Sequence, residues 1–149
     1  MAQTYFGSTV RAGSTALTDT VDGGYTVLSQ TTTVTTVAAG TATSASVTLP
    51  ASSQIINFFV DTVTDEVVGG GTATAIAMTI GTAAAGTQYV SSTDVIGGGR
   101  VALSFTAAQL TAMSDIGTSQ SVFITVDPNG TISTTQGVYR LTVTYSQKV

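Results

Sequence analysis

The chain of 149 residues contains no histidine and no cysteine. General acid–base work near neutral pH, thiol nucleophiles and most transition-metal sites draw on those two side chains, because they titrate or ligate where others do not. A serine triad lacks its base, and a Ser-Lys dyad would have to use Lys148, beside a terminus that frays. Without cysteine there is no disulfide framework. Tryptophan is also absent, and tyrosine and phenylalanine number five each, so no aromatic sugar-binding platform is visible. Charge is scarce: 8% of residues carry it, four basic against eight acidic, for a formal net charge of −4. Arg11, Arg100, Arg140 and Lys148 are scattered singly, whereas a phosphate backbone calls for clustered cations, so nucleic acid is excluded as a partner. The opening residues 1–6 have neither a basic nor an apolar signal region, and no secretory route is expected. No apolar run approaches the roughly 18 residues of a membrane helix, and the mean hydropathy of +0.38 comes from Ala and Val in strands.

What is present is threonine, at 31 positions, with Val, Ala, Ser and Gly. That is the composition of a β-protein whose product is a surface rather than a reaction. Period-2 alternation dominates the apolar stretches, each bounded by Gly, Pro, Asn or Asp. Residues 54–63 predict a central strand buried on both sides, with Ile56, Phe58 and Val60 on one face and Ile55, Asn57 and Phe59 on the other. Residues 73–80 put Ile76, Met78 and Ile80 inward. Residues 100–105 predict a strand with Val101, Leu103 and Phe105 inward. Residues 121–126 and 138–145 complete the set, the last presenting Tyr139, Leu141, Val143 and Tyr145 on one side. Residues 25–37 read as one long strand or two short ones. Residues 45–49, stopped by Pro50, suit a sheet edge, since proline cannot donate to a ladder. Asp127-Pro128-Asn129-Gly130 predicts a hairpin turn. The two glycine triplets, Gly69-Gly70-Gly71 and Gly97-Gly98-Gly99, mark loops or close backbone approaches without the context of a phosphate cradle. Thr106-x-x-Gln109 has the form of a capping box, with Leu110 and Met113 three apart on one face and Gly117 beyond the end, so one short helix is expected at about 107–114.

The expected architecture is all-β: a single β-sandwich or jelly-roll-like domain of roughly eight strands over residues 25–149, with one short helix and an extended N-terminal arm over residues 1–24. The predicted core comprises Ile56, Phe58, Val60, Ile76, Met78, Ile80, Leu103, Phe105, Leu110, Val122, Ile124, Leu141 and Val143. Asp61, Asp65 and Glu66 form the densest acidic group, but they lack the ligand order of a calcium loop, so no metal and no cofactor is assigned. Asn129-Gly130-Thr131 matches a glycosylation acceptor and reads here as a turn. In the arm, Tyr5 and Phe6 are bulky apolar residues in a polar, glycine-broken stretch and must find burial, either on this domain or on a partner. A partner's sheet edge would give backbone bonds for affinity and alternate side chains for register, which makes Tyr5, Phe6, Val10 and Arg11 the candidate partner-binding residues.

Four phrases span nearly the whole chain: Phe6-Gly7-Ser8 before a polar arm, Ser46-Val47-Thr48-Leu49-Pro50-Ala51 before an apolar strand, Phe105-Thr106-Ala107-Ala108-Gln109-Leu110, and Arg140-Leu141-Thr142-Val143-Thr144-Tyr145. In these the chain resembles the small β-rich head decoration, or cement, proteins of tailed bacteriophages. The resemblance implies a non-enzymatic virion protein on the outer capsid surface, bound to the major capsid protein, often as a trimer at threefold positions, which stabilises the shell. Many copies at symmetry-related sites sum modest contacts through multivalency. Two other classes share the composition: a phage tail, fibre or baseplate structural protein, and a bacterial surface adhesin or carbohydrate-binding module.

Overall fold

A computed structural model of the chain describes residues 11–12, 15–16, 25–132 and 135–148. Two two-residue strands, β1 (Arg11–Ala12) and β2 (Thr15–Ala16), pair with each other. The body holds β3 (Tyr25–Thr35), β4 (Thr43–Leu49), β5 (Ser53–Thr64), β6 (Ile76–Gly81), β7 (Val90–Asp94), one helix α1 (Ala107–Ser114), β8 (Gln120–Pro128) and β9 (Val138–Lys148). Two antiparallel sheets, ordered β3-β9-β5 and β4-β8-β6-β7, pack face to face. The protein is an all-β sandwich.

Composition explains the long strands. β3 is an eleven-residue run of Thr, Val, Ser, Leu, Gln and Tyr without glycine or proline, and β-branched and aromatic residues suit a pleated surface. It pairs along its whole length with β9, from Tyr25 opposite Lys148 to Thr35 opposite Val138. β4 stops before Pro50 and forms an edge of its sheet, as expected. Tyr139, Leu141, Val143 and Tyr145 on β9 all point inward, where they meet Phe58 and Val60 of β5, Ile76, Met78 and Ile80 of β6, and Val122, Ile124 and Val126 of β8. On β9 the outward positions alternate with these as Arg140, Thr142 and Thr144.

Five expectations need correction. Residues 54–63 are not a central strand: β5 is an edge, and β9 is the middle of its sheet. A β-bulge between Ile55 and Asn57 makes Ile56 the extra residue, so that Ile55 opposes Tyr145 while Asn57 opposes Thr144. The inward phase therefore switches from Ile55 to Phe58 across the bulge, and Ile55 is 5% exposed whereas Ile56 is 50% exposed. Residues 100–105 form no ladder strand beyond an isolated bridge between Arg100 and Asp61, although Val101, Leu103 and Phe105 do lean on the core. The Asp127–Gly130 stretch is no hairpin. Pro128 ends β8 opposite Ile76, and the chain then crosses to the other sheet to begin β9. Asn129 secures that crossing by accepting the Thr74 and Ala75 amides at 2.7 and 3.1 Å through Oδ1.

The fifth correction concerns α1, whose bounds and capping box are as expected. The Gln109 amide donates to Thr106 Oγ1 at 3.3 Å and the Thr106 amide to Gln109 Oε1 at 2.8 Å. The buried face, however, is Gln109 and Met113, four apart, while Leu110 is exposed. Gln109 is drawn inward because its Nε2 donates to Ser91 Oγ at 3.1 Å. β7, which supplies Ser91, was not foreseen at all.

Candidate functional site

Tyr5, Phe6 and Val10 lie outside the described residues. Arg11 belongs to β1, opposite Ala16, with its side chain outside the described set. The site that can be built from described atoms lies on the outer face of the three-stranded sheet and along the free edge of β5.

On that face the outward residues are Tyr25, Val27, Ser29, Thr31 and Thr33 from β3, Arg140, Thr142 and Thr144 from β9, and Asn57, Phe59 and Asp61 from β5, as the strand pairing dictates. Tyr25 and Val27 are 60% and 62% exposed, and the bulge residues Ile56 and Val63 add 50% and 53%. Large apolar groups thus rim a stripe of hydroxyls, which bond across strands, as between Thr31 and Thr142 at 3.1 Å. The opposite outer face differs. It carries small hydroxyls paired with each other, Ser44 with Thr125 at 2.8 Å and Thr48 with Ser121 at 3.3 Å, and the Ala85 amide covers Thr125 at 2.8 Å.

Strand register also concentrates charge on this face. Arg100 donates through Nε and Nη2 to Asp61 Oδ1 and Oδ2 at 2.7 and 3.3 Å, and Arg140 Nη2 reaches the same Oδ2 at 3.4 Å. Arg100 also lies over the Phe59 ring at 5.2 Å, a cation–π arrangement. The Arg100 hydrogen bond, with both guanidinium charges behind it, holds the Asp61 carboxyl below its ordinary value. Two of the four basic residues of an acidic chain meet here over one carboxylate, a local surplus of one positive charge.

Beside this cluster a cleft of about 440 Å³ opens between β5 and residues 100–105. Its walls include Asn57, Phe58, Phe59, Arg100, Leu103 and Phe105. The cleft exists because the two segments separate. The Thr62 amide donates to Gly99 O and the Val101 amide to Val60 O, both at 2.9 Å, but no further backbone bond joins the segments among the described residues. The Phe58 amide turns instead to Asn57 Oδ1 at 2.8 Å.

The acidic group singled out from sequence is dispersed. Asp61 serves the arginines and Asp65 is exposed, while Glu66 is buried and accepts the Tyr139 hydroxyl proton through Oε2 at 2.5 Å. No group of three or more His, Cys, Asp or Glu is placed to hold a metal among the described residues, and none of their helices is long and apolar enough to cross a membrane. Sequence reading missed the Arg100–Asp61–Arg140 cluster, since residues 39 and 40 positions apart meet only through pairing. The one available signal was Arg140 as an outward residue on an otherwise hydroxyl-rich strand. Comparison of the chain with protein-family models, curated proteins and solved structures finds no match.

Proposed function

We propose that the protein is a non-enzymatic virion structural protein that decorates the outer surface of a phage capsid and stabilises it by binding the major capsid protein. The observation that carries this reading is the outer face of the β3-β9-β5 sheet, where exposed Tyr25, Val27, Ile56 and Val63 frame a hydroxyl stripe with a single ionic cluster. Such a face loses little side-chain entropy on contact, because long flexible charged chains are few. Exposed aromatic and β-branched groups supply anchors. Repetition over a symmetric lattice, as a trimer or another closed oligomer, turns a modest contact per copy into firm attachment.

Electron cryomicroscopy of particles from the source culture tests this directly. Density for a 14.9 kDa copy on the head lattice supports the reading. Finding it in rings or tubes of the tail moves the protein to the tail and baseplate class, and finding no particle at all favours a surface adhesin.

A further inference from the structure

We infer that the outer edge of β3 pairs with the same edge of a second copy of this chain, antiparallel about a twofold axis at Leu28, so that two three-stranded sheets join into one. Exposed strand edges invite pairing, and proteins guard them with charge, proline, bulges or a covering segment. Three of the four edges of this sandwich are guarded. β5 is interrupted at two points of its register and is bonded to residues 99–101 at one end. β7 has five residues, ends at Asp94 and shifts register beyond Met78. β4 lies against the second half of β3, where the Gln30 side-chain amide donates to Thr48 O at 2.9 Å and the Thr43 hydroxyl to Thr35 O at 2.8 Å. The first half of β3 has none of these devices. Tyr25-Thr26-Val27-Leu28-Ser29 carries no charge, proline or glycine, and all five residues are exposed.

Two bonds fix which backbone groups face that edge. The Thr36 amide reaches Gly137 O on the β9 side, and Thr35 O takes the Thr43 hydroxyl on the other. Backbone groups alternate in direction along an antiparallel strand, so Tyr25, Val27, Ser29 and Thr31 turn their N–H and C=O groups to the open edge. No hydrogen bond among the described residues engages them there. Charge selects the occupant. Copies of this chain carry a net charge of −4 each and repel where acids meet, whereas this edge is neutral and matches itself. With the twofold at Leu28, Tyr25 of each copy opposes Thr31 of the other, and Val27 opposes Ser29, giving about eight backbone bonds. Leu28 supplies the apolar centre. It faces inward opposite Tyr145, yet it is 40% exposed, because β4 ends at Leu49, one residue beyond the Gln30–Thr48 contact. The Leu28 of the second copy covers it. Each β4 flanks residues 30–35 of its own β3, so the two fall on opposite sides of the axis and do not collide. Area sets the strength. Seven paired residues span about 23 Å, a contact below the roughly 1,200 Å² at which stable complexes begin, so the dimer is weak and concentration-dependent. The contact is isologous and does not rest on the capsid reading.

Sedimentation velocity of the full chain at concentrations up to about 1 mM tests it, with a Kd expected between about 10 μM and about 1 mM. Association should persist at high salt, since no ion pair holds it. Val27→Pro removes an N–H from the open edge without taking a bond from the β3–β9 ladder, and Leu28→Lys sets like charges together at the axis. Each is expected to weaken association at least about tenfold, with thermal melting to confirm that the variant folds. Because the chain has no cysteine, Leu28→Cys gives one thiol per copy. Opposed residues of a non-hydrogen-bonded pair stand about 4.5 Å apart at Cα, within the span of a disulfide. On oxidation Leu28→Cys is expected to cross-link at least about tenfold faster than Val63→Cys, a site on β5 that is no less exposed. This comparison stands even where Leu28→Lys fails to fold. A wild type that stays monomeric at every concentration, a folded Val27→Pro that associates like wild type, or Leu28→Cys that cross-links no faster than Val63→Cys would each overturn the proposal. The first result would leave the edge to residues 1–24 of the same chain or to a different protein.

Discussion

Replacing Tyr139 by Phe removes one oxygen from a buried tyrosine–glutamate pair. Tyr139 is fully buried and its hydroxyl donates to Glu66 Oε2, while Glu66 is itself only 8% exposed and its Oε1 has no hydrogen-bond partner. The hydroxyl is therefore the sole side-chain donor to that carboxylate among the described hydrogen bonds. A hydrogen bond to a charged group contributes about 1.5–3 kcal/mol, and deleting one partner leaves the other to bear its desolvation. Phenylalanine fills the same ring volume, so no cavity term is added. Tyr139→Phe is expected to destabilise the fold by about 2–3 kcal/mol in urea unfolding at neutral pH. Pairing it with Glu66→Leu removes both polar groups and should recover much of that loss, giving a coupling of about 1–3 kcal/mol in a double-mutant cycle.

The same pair sets the alkaline limb of stability. Burial, the hydrogen bond to Glu66 and the nearby charges of Glu66, Asp65 and Asp94 push the Tyr139 hydroxyl well above the ordinary tyrosine value, and burial pushes Tyr89 in the same direction. In the unfolded chain both ionise near pH 10, whereas in the folded chain both give up their protons at higher pH, Tyr139 far the later. The native state then binds more protons than the unfolded one, and stability falls as pH rises above about 10, by roughly 1.4 kcal/mol per pH unit for each retained proton. Tyr139→Phe should remove one proton's share of that slope. A loss under about 0.5 kcal/mol at neutral pH, with an unchanged alkaline slope, would refute the argument that this hydroxyl sustains Glu66.

Two further outcomes follow from the packing. Ile55→Ala should cost about 2–5 kcal/mol and Ile56→Ala well under 1 kcal/mol in the same urea assay, because the bulge buries one side chain and releases its neighbour; equal costs would mean that the bulge is absent. Thr106→Ala should cost about 0.5–2 kcal/mol by loss of the N-cap of α1, whereas Thr106→Ser, which keeps the oxygen, should stay near wild type in thermal melting.

Where strand pairing is regular, side-chain alternation was enough to read the fold, and where one residue breaks the pairing it was not. β9 pairs without interruption on its β3 side, and its four inward residues were foreseen to share one face, with Leu141 and Val143 placed in the core. In β5 one inserted residue inverts the phase, because the side-chain period of two converts a single-residue slip into a change of face. Unbroken alternation put Ile56 in the core with Phe58 and Val60, and only the partner strand shows that Ile55 is the one inside. The Asp127–Gly130 stretch shows a related limit: turn residues specify a change of direction, but the two sheets of a sandwich offer two destinations, and Asn129 selects the far one through bonds to Thr74 and Ala75 that span more than fifty positions. The candidate site was least legible for the same reason. Its three charged residues come from β5, β9 and the segment after Gly97-Gly98-Gly99, whose three glycines all adopt positive φ and so turn the chain in a way that other residues rarely do. That turn brings Arg100 back to Asp61, while the regular register of β9 delivers Arg140 to the same carboxylate. A glycine loop and an orderly ladder thus build the cluster together, and the bulge that misled the reading of β5 lies at the other end of the cleft they define.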